Sequence, residues 1–489
     1  MTQKFNDEIW AGDLLGREEE AMYLQRYFEN FYSLYAKEES SFVLNVNSEW
    51  GHGKTWFLER LAKQLQKNYP VVYFNAWKND FTKDALLSFV SVVCTELTKQ
   101  FQGNAQIIGR VERAVSAFSS FSKKAVPIIA AISAKQLTGY TLESLVGVLD
   151  GDLKSDASDT ASSLAKLAAT CSVKEFSQKK SGIESFEQAI KELVNEIAES
   201  EFHLPIFIFI DELDRCRPTY AIELLESIKH LFSVAGVYFV VATDTKQLSH
   251  SIKSVYGQEF NSIAYLKRFF YVEYRLAEPN YEKMANFFFQ DTALLEKLFI
   301  PQPLLSDYGA SKLFGKTAEY FKLTARDQEQ VFAVLKTVLI ISSEKNIHYI
   351  YLLFLICLKH RFSNENEFET AILVPSRMVA FINDLRKSNR LKEVKISTMY
   401  WNQSSGHGGK RDIGLGTVFD FYFELANENV ENLASRSAGV RDGDEYKQKI
   451  IFELLKNQNG KKQDSTVRSN ELSSYIKMLL QAGRITVST

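Results

Sequence analysis

The chain has 489 residues, of which 45% are hydrophobic and 24% charged, and its formal net charge is −2. This length suits about two or three domains, and the composition is that of a soluble globular protein. The nearly neutral charge gives no electrostatic basis for bulk nucleic-acid binding. No window approaches the ~20 apolar residues of a membrane-spanning helix, and the polar N-terminus lacks a signal-peptide core. We therefore expect a cytoplasmic protein without a transmembrane span.

The cysteines are too dispersed to form a metal site or a disulfide framework. No C-x-x-C pair occurs among Cys94, Cys171, Cys216 and Cys357. Such isolated residues are typical of buried thiols in a reducing compartment.

A strand, a glycine turn and a helix follow one another near the N-terminus. Phe42 to Val46 is an apolar run, and an amphipathic helix is predicted from Lys54 to Gln66. Between them lies Gly51-His52-Gly53, followed by Lys54 and Thr55, which is the order of a phosphate-binding loop. Lys54 is expected to reach the β- and γ-phosphates of ATP, and the Thr55 hydroxyl to hold Mg²⁺. The residues predicted to contact the nucleotide are Ser48, Glu49, Trp50, Gly51, His52, Gly53, Lys54, Thr55 and Trp56.

The loop departs from the usual pattern at one position, because Ser48 stands where a first glycine is expected. A side chain at this point narrows the loop. We expect nucleotide binding to survive and the rate of turnover to be affected.

A second apolar run supplies the acidic half of the predicted site. Ile206 to Ile210 reads as a buried parallel strand that ends in Asp211 and Glu212. Asp211 is expected to bind Mg²⁺, directly or through water, and Glu212 to deprotonate the attacking water. The alternative is that these acids only cap the following helix. Asp214 and Arg215 either fix this loop or contact a neighbouring subunit.

Two further strands place polar residues at the same predicted edge of the sheet. Val71 to Asn75 ends beside Trp77, so Asn75 and Trp77 are expected near the nucleotide. Val237 to Thr243 ends at Asp244. Thr243 or Asp244 either senses the γ-phosphate or, for Asp244, caps the next helix.

Basic residues after these strands leave further alternatives open. Lys267 and Arg268 are candidates for an arginine-finger role in cis or in trans, or are surface charges at a helix end. A modest basic zone between Arg377 and Arg411 is either a solvated face or a weakly supported nucleic-acid contact.

Residues 103–180 form a predicted helical insertion rich in Ala and Ser. Its apolar run from Ala125 to Ala134 is broken by Pro127 and is too short to cross a bilayer. Contact with a lipid surface, binding of a partner and simple packing remain alternatives for this segment. From about residue 279 the apolar residues recur at helical spacing.

Taken together, these motifs resemble the KAP family of P-loop NTPases. The matching segments are Glu49–Thr55, Phe74–Lys78, Ile210–Cys216, Tyr265–Arg268 and Pro375–Asn383. The resemblance implies an α/β fold with an AAA-like (ASCE-type) parallel sheet flanked by helices, and a mostly α-helical C-terminal region. It also implies that Glu212 is the catalytic base and that Arg377 acts as a second sensor.

Other properties are implied by the resemblance alone. Many relatives carry transmembrane helices between the two motifs, where this chain has no span. Several bacterial relatives act in exclusion of bacteriophages. The opening Asp13 to Glu20 also resembles the start of AAA-like and STAND-like NTPase domains, in which the backbone around Gly16 and Arg17 lies near adenine. An ordinary turn before a helix is the alternative for this opening.

We expect four regions: an NTPase core in 1–102 and 181–278, the insertion 103–180, a helical domain 279–395, and a region 396–489 of uncertain fold. The preferred hypothesis is an Mg²⁺-dependent ATPase whose hydrolysis drives a conformational change or assembly. The alternative is a nucleotide-operated switch or scaffold that scarcely hydrolyses ATP and presents its helical regions to a partner. Further copies of the chain, bound through the core, and a protein bound by the insertion or C-terminal region are the expected partners.

Overall fold

The computed structural model divides the chain into two compact units, one containing Arg17–Ala277 and the other Glu278 onwards, with Leu14–Gly16 grouped with the second. The residues that it describes are 8–35, 42–82, 84–119, 184–229, 234–290, 295–301, 309–343, 346–362, 364–372, 374–388, 390–402, 407–440, 444–458 and 472–482.

A five-stranded parallel sheet is the centre of the first unit. Its order is β2-β3-β4-β1-β5, so the strand before the phosphate-binding loop lies between the fourth and fifth strands. The strands are β1 (Phe42–Asn47), β2 (Val71–Asn75), β3 (Ile206–Asp211), β4 (Val237–Thr243) and β5 (Val272–Arg275). The predicted α/β parallel fold is confirmed.

Helices cover both faces of this sheet, as buried parallel strands require. They are α1 (Arg17–Tyr35), α2 (Lys54–Leu65), α3 (Ala76–Asn79), α4 (Ala85–Gln100), α5 (Ala105–Ser119), α6 (184–198), α7 (Pro218–Ile228), α8 (Thr245–Tyr256) and α9 (Ser262–Leu266). Successive residues of β3 point to opposite faces. Ile206, Ile208 and Ile210 join an apolar cluster with α4 to α8, whereas Phe207 and Phe209 join one with α1 and α2.

The strand register aligns the polar strand ends. Asn75 of β2 lies beside Asp211 of β3, and Asn47 of β1 lies beside Thr243 of β4. Because parallel strands share one carboxyl edge, the register brings the predicted chemistry to a single edge of the sheet.

The first helix of the predicted insertion, α5, and the helix that follows the insertion, α6, pack on the first unit. Ile107 and Val111 of α5 and Leu193 of α6 belong to the apolar cluster under β2 and β3. Arg110 pairs with Glu192 of α6 at 2.7 Å. The apolar run Ala125–Ala134 lies outside the described residues.

The second unit is mainly helical, as predicted. Its helices are α10 (Tyr281–Phe288), α11 (Ala310–Tyr320), α12 (Ala325–Ile341), α13 (Tyr349–Arg361), α14 (Glu365–Ile372), α15 (Pro375–Lys387), α16 (Leu415–Ala426), α17 (Val430–Ala438), α18 (Glu445–Gln458) and α19 (Leu472–Ala482). Helix α13 is its centre, because every residue from Tyr349 to Leu358 is buried. A helix that is apolar all round must be enclosed by other elements.

Short strands complete the second unit. β6 (Leu298–Phe299) pairs in parallel with β7 (Ile347–His348), and β8 (Lys395–Asn402) forms an antiparallel hairpin with β9 (His407–Gly414). The sequence did not indicate this hairpin. Among the helices of the described residues, none combines the length and apolar character needed to cross a bilayer.

Part of the predicted basic zone is neutralised within the second unit. Arg386 contacts Asp420 at 2.8 Å, Lys392 contacts Glu319 at 3.1 Å, and Arg411 pairs with Asp444. These pairs reduce the positive charge offered to a polyanion, so the structure adds no support to nucleic-acid binding.

Candidate nucleotide-binding site

Glycines shape the loop between β1 and α2. Gly51 has φ 88° and Gly53 has φ 78°, a left-handed conformation that side chains disfavour. Gly53 is the N-cap of α2 and no side chain caps this helix, so the N–H groups at its start remain available to an anion. The loop is fixed at its beginning, because the Ser48 N–H donates to the Thr243 carbonyl at 3.1 Å.

The Ser48 side chain turns towards the loop itself. Its hydroxyl lies 3.1 Å from His52 Nδ1 and 3.3 Å from the Glu49 carbonyl oxygen. The position that lacks the usual glycine is therefore accommodated by local polar contacts. Ser48 is also buried, which fits a side chain folded into the loop.

Lys54 is buried at the base of this loop. Its ammonium donates to the Ser48 carbonyl and to the Glu49 carbonyl at 3.3 Å. Burial lowers its pKa, while nearby carboxylates, Asp214 first among them, act in the opposite direction. These carbonyl partners can be exchanged for phosphate oxygens.

Asp211 lies beside the loop at the end of β3. It accepts hydrogen bonds from the Tyr73 hydroxyl at 2.8 Å and from the Glu212 N–H at 2.8 Å, and the Thr55 hydroxyl lies near enough to stabilise its charge. Burial raises the pKa of Asp211, and the bond from Tyr73 and the nearby Thr55 hydroxyl oppose that shift. Thr55 and Asp211, the two predicted Mg²⁺ ligands, are therefore neighbours.

Glu212 is held by two partners. One carboxylate oxygen accepts from Asn75 Nδ2 at 2.7 Å, and the other pairs with Arg215 at 2.6 Å. Its backbone is left-handed, with φ 60°, which is uncommon for a side chain of this size. The predicted base is thus next to Asp211 with both oxygens engaged.

A family comparison complements this geometry. The sequence model of a protein family, described as the KAP family P-loop domain, matches residues 25–391. The chain belongs to the KAP family of P-loop NTPases. No curated protein matched the chain.

Solved structures resemble the KAP chain only weakly. C. elegans PCH-2 is 13% identical over 73% of each chain, with a TM-score of 0.30. The Aeropyrum pernix ORC2 protein (ADPNP-ADP complexes) is 13% identical over 96% of this chain and 94% of its own, also at 0.30. Cdc6p from Pyrobaculum aerophilum is 10% identical over 85% and 96%, at 0.24. These likenesses are too weak to support a functional assignment.

Aromatic and charged side chains border the KAP loop. The Trp50 indole N–H donates to Asp214, and the Arg215 guanidinium lies 5.6 Å from the Trp77 ring. Asp214 and Arg215 thus have partners within this chain, in agreement with the first of the two alternatives.

The end of β4 has a structural role in the KAP core. Asp244 accepts from the Gln247 N–H at 3.1 Å and so caps α8, as one alternative predicted. The Thr243 hydroxyl donates to Asn45 at 2.8 Å and lies 3.0 Å from the Thr245 hydroxyl. Both side chains are occupied by these local bonds.

Several predicted residues lie outside this group. The Trp56 ring packs 5.7 Å from Trp10 and lies under the Arg60 guanidinium, while the Glu49 side chain is exposed. Arg268 is exposed and forms no ion pair with another described residue. Arg377 lies in the second unit, where it lines an open pocket with Asn364, Asn366, Glu367, Thr370 and Ala371.

Two side chains of the KAP site escaped the sequence analysis. The Tyr73 hydroxyl donates to Asp211. Tyr73 lies two residues before Asn75 on β2, so both side chains point to the same face of the sheet, and this spacing could have indicated that Tyr73 lies near the site. Arg17 is fully buried and donates to the His52 carbonyl at 3.0 Å. Only its backbone had been expected near the nucleotide.

Proposed function

We propose that this protein is an Mg²⁺-dependent ATPase that couples hydrolysis to a conformational change or to assembly. The observation that carries the proposal is that adjacent parallel strands bring the phosphate-binding loop, with buried Lys54, and buried Asp211 to one edge of the sheet, where Trp50 of the loop also bonds Asp214. This arrangement supports the two halves of a phosphoryl-transfer site, with Lys54 on one side and Glu212 on the other.

The chain's own residues account for the steps of hydrolysis. The Lys54 ammonium exchanges its carbonyl partners for β- and γ-phosphate oxygens. Glu212 takes a proton from water, whose oxygen bonds to the γ-phosphorus. The bond from that phosphorus to the bridging oxygen breaks, and the electron pair leaves with ADP. Each oxygen of Glu212 has one protein partner, Asn75 or Arg215, and a carboxylate oxygen has a second lone pair that can accept from the attacking water.

The acidic edge fits Mg²⁺. Thr55 and Asp211 would hold the ion, and when bound it offsets phosphate charge. Both supply the oxygen ligands that Mg²⁺ prefers, and it usually takes few protein ligands together with phosphate and water. The described ranges contain no cluster of three or more His, Cys, Asp or Glu that could hold a metal.

Arginine from another copy completes the proposed site. Arg268 is exposed and forms no ion pair with the described residues, so its guanidinium is available to contact the γ-phosphate bound by a neighbouring copy. Arg377 is proposed as the sensor of the second unit. Sizing with and without ATP tests the assembly. A species that stays monomeric with saturating ATP contradicts the trans role.

ATP turnover by the wild type and two variants tests the proposed activity. Lys54→Ala is expected to lose ATP binding, whereas Glu212→Gln keeps binding and loses about 100- to 10,000-fold in kcat, the usual contribution of a general base. Glu96→Gln is a matched control, since Glu96 is partly exposed and, among the described residues, its carboxylate pairs with Lys99 on the same helix, α4. Undiminished turnover in both site variants would refute the assignment.

A nucleotide-operated switch is the second candidate. The observation that favours it is that Lys54 and both oxygens of Glu212 are engaged by protein groups. In this case ATP is retained through a single slow turnover and the helical regions bind a protein partner. Rapid multiple turnovers, alone or stimulated by a partner, contradict this candidate.

We further propose a cytoplasmic role in bacteriophage defence, supported only by the family resemblance. Expression in a phage-sensitive bacterium is expected to lower plating efficiency for the wild type and not for Lys54→Ala. Equal plating on both strains contradicts this role.

A further inference from the structure

Arg17 is a fully buried charge at the start of α1, close to the phosphate-binding loop. One terminal nitrogen donates to the His52 carbonyl oxygen at 3.0 Å. The other donates to the Ala277 carbonyl oxygen at 3.0 Å and pairs with Glu20. A guanidinium offers rigid, forked donors, so these bonds fix its orientation.

Glu20 holds Arg17 in place. One of its oxygens accepts from Arg17, and the other accepts from the Tyr274 hydroxyl at 2.8 Å and the Ala277 N–H at 3.1 Å. The buried positive charge is therefore neutralised, and the carboxylate is hydrogen-bonded on both oxygens. A buried ion pair with such partners is strongly oriented.

The bond to His52 also determines the direction of the next N–H group. In a trans peptide the carbonyl and the following N–H point in opposite directions. With the His52 carbonyl towards Arg17, the Gly53 N–H points away from it. This N–H donates to no described group, and it belongs to the uncapped start of α2.

Gly53 makes this restraint necessary. With φ 78° and no Cβ, glycine pays little to rotate its preceding peptide into another orientation. A flipped peptide would direct a carbonyl oxygen, rather than an N–H, at a bound phosphate. An oriented donor at this position stabilises an anion, whereas a carbonyl repels it.

We propose that Arg17 is a positioning residue that fixes the His52–Gly53 peptide so that the Gly53 N–H faces the phosphates of ATP, with Glu20 orienting Arg17. This rests on the proposed ATP site. It assigns the buried arginine to the phosphate end of the nucleotide and not to adenine.

The test measures the affinities of ATP and of inorganic pyrophosphate, without Mg²⁺, by calorimetry. Arg17→Met is expected to weaken both about 10- to 100-fold, the range of one hydrogen bond to a charged group. Glu20→Gln, which keeps the shape and removes the charge, is expected to weaken both by a smaller factor. Pyrophosphate lacks adenine and ribose, so a loss of pyrophosphate affinity reports on the phosphate-binding loop alone.

Arg361→Met is the matched control, because Arg361 also donates to backbone carbonyls, those of Phe321 and Lys322, in the second unit. It is expected to leave both affinities unchanged. If Arg17→Met does not fold, Glu20→Gln decides. Pyrophosphate affinity within twofold of wild type, with or without a loss for ATP, overturns the proposal.

Failure of the site itself gives a different result. If Lys54→Ala retains wild-type pyrophosphate affinity, the proposed ATP site is wrong. If Lys54→Ala loses it and the Arg17 and Glu20 variants do not, only the positioning role is wrong.

Discussion

Replacing Tyr73 by Phe tests how the chain prepares Asp211 for a metal ion. The change removes one oxygen and leaves the ring stacked on Phe209, with centroids 6.2 Å apart. The lost bond, 2.8 Å long, ends on a carboxylate that is only 1% exposed, so water does not readily replace it. A hydrogen bond to a charged group contributes about 1.5–3 kcal/mol, and loss of a partner of a metal ligand typically costs about 10- to 100-fold in metal affinity.

The pH dependence of this loss in Mg²⁺ affinity follows from the pKa of Asp211. Burial raises it and the Tyr73 bond lowers it, so the variant's pKa rises further. Protons then compete better with Mg²⁺, and the deficit should grow as the pH falls. Mg²⁺ titrations of ATP affinity at pH 6.5 and pH 8 measure both effects.

Tyr265→Phe is the matched control, since that hydroxyl donates to a carboxylate, Glu226, at the same 2.8 Å. It should leave the Mg²⁺ midpoint unchanged. A midpoint for Tyr73→Phe within twofold of wild type at both pH values would refute the reasoning.

Three further predictions concern stability and thiol chemistry. Burial raises the pKa of Asp327, but bonds from His360 and Thr324 outweigh it and hold the pKa at about 2 against 3.8. Its charge therefore stabilises the fold above about pH 4, and this is lost as the pH falls towards 2. Asp327→Asn should lower the free energy of unfolding by about 2 kcal/mol at pH 7, measured by urea unfolding and by hydrogen exchange in α12. Unchanged stability contradicts this prediction. Gly236→Ala should lower the free energy of unfolding by about 1–3 kcal/mol, measured in the same way, because φ is +80° and the new Cβ would lie 2.7 Å from Val194 Cγ1. A stability equal to wild type contradicts this prediction. Iodoacetamide at pH 8 should leave three buried thiols of the native chain unmodified, as read by mass spectrometry: Cys94, Cys216 and Cys357. Rapid labelling of any of them would contradict their burial.

The strands and loop of the first unit could be predicted from local chemistry. The strand Val71–Asn75 was predicted with its exact bounds, and α2 was predicted one residue too long. Apolar runs that end in polar residues, and glycines before a helix, depend only on near neighbours in the chain.

Contacts between distant segments could not be predicted in the same way. Tyr73 and Asp211 are 138 positions apart, and Arg17 and Ala277 are 260 apart. Their pairing depends on which strands are adjacent and on where α1 packs. The motifs identify the loop and the acids, but not the side chains that orient them.

The hairpin of β8 and β9 was missed because half of it looks like a loop. β9 begins His407-Gly408-Gly409, and glycines in a strand interior are unfavourable. Similarly, the basic zone seemed unpaired because Asp420 and Asp444 follow it in the chain and return to it only in the folded unit.

Trp50 gives the loop an optical reporter of its own. Of the five tryptophans, Trp10, Trp50, Trp56 and Trp77 belong to the first unit, and only Trp401 to the second. Trp50 is 46% exposed and bonded to Asp214, so an entering phosphate that shifts the loop must change the polarity around its indole. Fluorescence of the unlabelled protein, with Trp50→Phe as reference, can therefore follow nucleotide entry in real time.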